Sequence, residues 1–110
     1  MQYNKVEICG VNTAKLKVLK ESEKRELLEI IKNGTPKERM QAREKMINGN
    51  LRLVLSVIQR FTNRGENPDD LFQVGCIGLI KAIDKYDCNL KVRFSTYGVP
   101  MIIREIRRYL

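Results

Sequence analysis

The sequence predicts an all-α protein, a compact bundle of about five helices behind a flexible N-terminal tail, and three observations carry that expectation. Apolar residues recur at three- and four-residue spacing along most of the chain. Asparagine, glycine and proline interrupt the pattern where helices start and stop. Nowhere does an apolar–polar alternation of strand period appear. At 110 residues there is room for one domain with a modest core. The expected boundaries are a tail over 1–19 and a helical domain over 20–110.

Residues 1–19 show no clean period and read as a mobile or partner-dependent tail. The first helix is expected to start near Ser22 as N-cap, with Glu23 and Glu26 at the positive end of the dipole. Leu27, Leu28, Ile30 and Ile31 supply its apolar stripe, and Asn33-Gly34 stops it. The second start is sharper. Thr35-Pro36-Lys37-Glu38 places an N-cap, a proline at the first helical position and a capping-box glutamate at the third. Met40, Ala42, Met46 and Ile47 form a weaker apolar face before Asn48-Gly49.

The third helix, about residues 50–63, is expected to be the central one. Leu51, Val54, Leu55, Ile58 and Phe61 recur at helical spacing, and Leu53 and Val57 widen the stripe. Gly65 ends it. Asn67-Pro68-Asp69-Asp70 opens the fourth, whose core face is Leu71, Phe72, Gly75, Leu79, Ala82, Ile83 and Tyr86. Gly75 and Gly78 each cost a helix interior about 1 kcal/mol against alanine, so another backbone is expected to approach them closely. Residues 87–91 read as a turn. Ser95 reads as N-cap of the last helix, which either kinks at Pro100 or becomes regular only near Val99.

A net charge of +8 without histidine favours a polyanionic partner, nucleic acid before an anionic membrane, against the alternative of a merely well-solvated basic surface. No secretory signal or apolar run of membrane length is present. Cys9, Cys76 and Cys88 are odd in number and lack metal-ligand spacing, which fits free thiols in a reducing cytoplasm. Neither a metal nor another cofactor is expected. No Ser-His-Asp set and no phosphate-cradling glycine loop can be assembled, so an enzyme is the least favoured class.

Two chemistries lie back to back near the C-terminus. Residues 69–87 carry four Asp against two Lys, net −2, on an amphipathic helix suited to a protein partner. Residues 91–110 carry five Lys and Arg against one Glu, net +4, around Phe94, Ser95, Thr96 and Tyr97. Rings among cations suit unpaired nucleic acid, because rings stack on bases while cations hold phosphates. An adaptor that grips a protein with one element and DNA with the next is the expectation.

The string Asn50-Leu51-Arg52-Leu53-Val54, Arg64-Gly65, Asp70-Leu71-Phe72-Gln73, Gly75, Ile77-Gly78-Leu79, Lys81, Asp84-Lys85-Tyr86-Asp87 and Phe94-Ser95-Thr96-Tyr97 resembles the second conserved region of bacterial RNA polymerase sigma factors, in order and spacing. The resemblance covers about residues 50–110. Pro100-Met101-Ile102-Ile103 and the opening Asn4-Lys5-Val6-Glu7-Ile8-Cys9-Gly10-Val11 look more particularly like the forespore sporulation members, the late one above all. The family implies a transcription initiation factor that binds core polymerase and recognises and helps melt the promoter minus-ten element. It also implies a bacterial cytoplasm, the forespore if the subtype holds, and no membrane.

By that resemblance Asp70, Gln73, Val74, Cys76 and Ile80 would grip the clamp helices of the polymerase β′ subunit. Asp70 and Gln73 stand one turn apart and can share an exposed face; alternatively Asp70 only complements the helix dipole. Val74 and Cys76 depart from the primary-sigma pattern of an acid and an asparagine. Tyr97 is the first candidate to stack on a flipped base of the single-stranded non-template strand. Phe94 would pack beneath it and is itself read as a core ring. Ser95 and Thr96 lie in the same segment. Lys91, Arg93, Arg107 and Arg108 would meet phosphates, or form a solvated basic face. Pro100 and Met101 replace a tryptophan pair of primary sigma factors, which removes aromatic surface. Arg104 lies where the family reads the upstream edge of the element and suits a guanine. Members of this type are held by anti-sigma factors; Asn48 is a candidate contact for one, or a helix C-terminal cap.

Two other classes stay open: a free-standing helix-turn-helix regulator that binds duplex DNA without polymerase, and a helical protein-interaction module. The apolar and basic pattern is still running at Leu110, so a longer protein is expected, with further promoter-binding modules beyond.

Overall fold

The computed structural model describes residues 7–8, 11–12, 16 and 18–110, with backbone alone at 7–8, 11–12 and 62–64. Its helices are α1 (Glu21–Asn33), α2 (Pro36–Asn48), α3 (Leu51–Ile58), a 3₁₀ segment (Gln59–Arg64), α4 (Pro68–Lys85) and α5 (Phe94–Tyr109). The fold is all-α apart from one short ladder. There β1 (Glu7–Ile8) pairs antiparallel with β2 (Val11–Asn12), in the register Glu7↔Asn12 and Ile8↔Val11. Two residues a side are too few to leave an alternation in the sequence. The rest of the expected tail before Leu16, Cys9 included, lies outside the described residues, as does Lys17. Leu16 and Leu19 pack against the core, so domain packing begins before residue 20.

Local chemistry sets most helix starts. Thr35 Oγ1 accepts the Glu38 N–H at 3.2 Å, while the Glu38 carboxylate accepts the Thr35 N–H at 2.9 Å, with Pro36 opening the turn. This is the capping box expected from the residues. Asn67 Oδ1 accepts the Asp69 N–H at 2.7 Å ahead of Pro68. The expected cap at Ser22 is not made. The Glu23 carboxylate instead reaches back to the Lys20 N–H at 2.9 Å, so α1 starts at Glu21. The expected cap at Ser95 is not made either: Arg93 is the N-cap, in extended conformation, and α5 runs unbroken from Phe94 through Pro100. The α-helical part of α3 is shorter than expected and tightens to 3₁₀ at Gln59.

Helices α4 and α5 form the most extensive pairing, α1 and α2 a hairpin, and α3 packs on both α4 and α5. Val54, Ile58, Leu71, Leu79, Ile102 and Ile106 meet in the fully buried centre. Of the two α4 glycines, Gly78 meets another backbone as expected, whereas Gly75 meets side chains instead. A Cβ on Gly75 would lie 2.6 Å from Val54 Cγ1, and one on Gly78 would lie 2.7 Å from Ile102 Cα and 2.8 Å from the Met101 carbonyl oxygen. Two expected core residues point outward. Ile30 is exposed on α1, and Met40 is 71% exposed on α2. Each sits about 200° around its helix from a buried neighbour two residues away, Leu28 or Ala42, at 100° per residue.

Candidate interfaces on the fourth and fifth helices

On α4, Asp70 and Gln73 are exposed on one face, as their spacing requires. Val74, Cys76 and Ile80 are half-buried, and Val74 and Cys76 spend part of their surface on the core. They border the face and do not stand at its middle. Its middle holds Ile77, 48% exposed, seven residues after Asp70 and four after Gln73. Sequence reasoning passed over Ile77, although the i, i+3, i+7 row was there to find it. At the helix end Asp84 takes both Nε and Nη2 of Arg43, at 3.1 and 3.0 Å. That pair ties α2 to α4, and Asp84 raises the Arg43 pKa above its ordinary value.

On α5 the exposed stripe is Thr96, Pro100, Arg104 and Arg107, with Met101 half-buried beside it. Pro100, Ile103, Arg104, Arg107 and Arg108 line an open groove of about 620 Å³. Ile103, half-buried, gives that basic groove an apolar floor the sequence reading did not include. Phe94 is only 2% exposed, so it is a core ring with no surface for a ligand. Tyr97 is half-buried. The ring against it is Tyr86, whose centroid lies 5.4 Å away at 73°; Tyr86 in turn meets Phe94 edge-on at 5.6 Å. Tyr86 therefore stands where Phe94 was expected, and it is fixed by donating its hydroxyl to the Val92 carbonyl at 2.6 Å.

Ser95 Oγ donates to Glu21 Oε1 at 2.7 Å and joins α5 to α1. Lys91 and Arg93 are exposed in the loop before α5 and line a second hollow of about 730 Å³ with Arg25, Leu90 and Val92. Arg25, from α1, adds a cation that the sequence reading did not connect with this loop. The Tyr109 hydroxyl sits 3.5 Å from Asp70 Oδ2, and the Asp70 charge raises its pKa above the ordinary 10.0. The end of α5 thus touches the acid at the start of α4.

Asn48 is exposed as the last residue of α2, with Gly49 as C-cap. It lines a shallow hollow with Met40, Arg43, Glu44 and Ile47. Cys76 and Cys88 are both half-buried. Among the described residues no group of side chains has the composition to hold a metal, and no helix is long and apolar enough to cross a membrane.

Residues 46–110 match the family model for sigma-70 region 2. All 110 residues align at 72% identity with the RNA polymerase sigma-G factor of Clostridium acetobutylicum, covering 41% of that protein. The RNA polymerase sigma-G factor of Bacillus subtilis is 64% identical over the same span, again 41% of its length. A putative RNA polymerase sigma-G factor of Bacillus thuringiensis subsp. kurstaki is 66% identical and is covered over 85% of its length. The sigma-F factor of Bacillus subtilis is less similar, 56% identical over 92 residues. The chain therefore spans under half the length of the two larger sigma-G relatives.

Proposed function

Because the chain belongs to the sigma-70 region 2 family, we propose that it is the part of a sporulation sigma factor that binds core RNA polymerase through α4 and the promoter minus-ten element through α5. The observation that carries this reading is the division of labour between two packed helices. An exposed acid, amide and isoleucine share one face of α4, while a basic groove runs along α5 beside a half-buried tyrosine. The polymerase performs the chemistry and the chain none. The clamp helices of the β′ subunit are the partner for Asp70, Gln73 and Ile77, bordered by Val74, Cys76 and Ile80. A pull-down of core polymerase by the chain tests the assignment most directly.

Tyr97 is the base-stacking residue of this reading, seated edge-on against Tyr86. Lys91, Arg93, Arg107 and Arg108 meet phosphate, while Thr96, Pro100, Met101 and Arg104 line the path of the strand. In the complex with polymerase, Tyr97→Ala should lose about 1–3 kcal/mol on a single-stranded oligonucleotide carrying the element, and much less on a scrambled one. Arg107→Ala should weaken all sequences alike and flatten the salt dependence by about one unit of slope. Equal losses for Tyr97→Ala on both strands would show that the ring serves packing alone.

An anti-sigma factor is proposed as the second protein partner, on surface shared with the polymerase and with Asn48 at its border. The forespore is the compartment this subtype implies. Two proteins on one surface exclude each other, so core polymerase should displace the inhibitor in a competition assay. A stable ternary complex would refute the shared surface.

A further inference from the structure

Glu105 is the one acid on α5, and its side chain is only 12% exposed. Its Oε1 takes two cations: Lys81 Nζ from α4 at 2.5 Å and Arg108 Nη1 at 3.5 Å. Arg104 adds a third positive charge nearby. The Lys81 hydrogen bond is the main cause holding the carboxyl below its ordinary 4.5, so Glu105 is charged at neutral pH. Gly78 lies under this site: a Cβ there would lie 3.2 Å from Glu105 Cγ.

Lys81 and Arg108 compete for the same oxygen. With Lys81 seated, much of the carboxylate charge is answered from the α4 side. Arg108 then stays 63% exposed and available to a phosphate. Without Lys81, the pull of Glu105 on Arg108 and Arg104 is no longer opposed from the α4 side.

We infer that Glu105 is a positioning residue for the arginines of the α5 groove, and that Lys81, on the protein-binding helix, sets how tightly it holds them. This rests on the reading of α5 as the nucleic-acid face. The Lys81 side chain is 41% exposed, within reach of an acidic group on a partner. A partner that draws Lys81 away lets Glu105 take Arg108, and nucleic-acid affinity falls. By linkage, nucleic acid on Arg108 strengthens the hold of Glu105 on Lys81 to the same extent.

The test measures binding of a single-stranded oligonucleotide at low salt by the chain without polymerase, which keeps other α4 contacts out of the readout. Lys81→Met should weaken binding about three- to tenfold and flatten the salt slope by about 0.7, the loss of one phosphate contact. Glu105→Gln should bind at least as tightly as the parent. Lys81→Met with Glu105→Gln should return to within about twofold of the parent. A charge-matched control, Lys81→Met with Asp84→Asn, should stay weak, because Asp84 serves Arg43 and not this cluster. Parent-like affinity of Lys81→Met, or equal rescue by both double variants, overturns the inference alone. No salt-dependent binding by the parent overturns the nucleic-acid reading of α5, and the inference with it.

Discussion

Replacing Gly78 by valine should destabilise the domain by about 3 kcal/mol or more, with the melting temperature falling by about 10 °C or more. The first added carbon already meets backbone, 2.7 Å from Ile102 Cα and 2.8 Å from the Met101 carbonyl oxygen. Backbone in a packed helix cannot rotate away as a side chain can, so α5 must shift bodily off α4. Alanine should cost less, because it adds one methyl and recovers about 1 kcal/mol of helix propensity. Gly75→Ala should be milder still, since its nearest obstacle is the movable Val54 Cγ1 at 2.6 Å. Urea unfolding of the three variants supplies the ranking. A valine variant within about 1 kcal/mol of the parent would mean that the α4–α5 crossing is looser than the geometry requires.

Core polymerase should bind Asp70→Ala and Gln73→Ala about thirtyfold more weakly or worse, as expected when a central anchor worth about 2 kcal/mol is removed. Ile77→Ala should lose about tenfold, because its exposed side chain supplies the apolar centre of the same row. Tyr109→Phe separates contact from folding. It removes the hydroxyl 3.5 Å from Asp70 without touching the α4 face, and should leave polymerase affinity within about twofold. Titration of each folded variant against core polymerase, with helicity checked by circular dichroism, reads these outcomes. Unchanged affinity in both Asp70→Ala and Gln73→Ala would remove α4 as the polymerase contact.

Lys81→Met would have two consequences in an intact complex. It disturbs the α4 face and, through Glu105, the groove on α5. A loss of DNA affinity by this variant is therefore no proof that Lys81 touches DNA. Comparison of binding with and without polymerase separates the two effects.

Helix existence, and the two best helix starts, could be read from the residues alone. Thr35, Pro36 and Glu38, or Asn67 and Pro68, satisfy their hydrogen bonds within a single turn, so local sequence suffices to place them. Gly78 was legible for a related reason: a costly residue inside an apolar helix needs a close backbone, and α5 supplies it, while at Gly75 the neighbour is the Val54 side chain. The polar face of α4 and the basic stripe of α5 also followed from periodicity. Packing between distant segments decided the rest. The Ser95 hydroxyl goes to Glu21, 74 residues away, and not to its own helix end. Tyr86, not Phe94, backs Tyr97, because the turn after α4 brings that ring between them. Met40 and Ile30 face outward because the α1–α2 hairpin buries the opposite side of each helix. Glu105 is one acid in a basic run until α4 lies against α5 and Lys81 reaches its oxygen. Period and capping are complete within a turn or two, so sequence determines them; which side chain meets which is set by the crossing of helices far apart in the chain, and only the tertiary structure decides it.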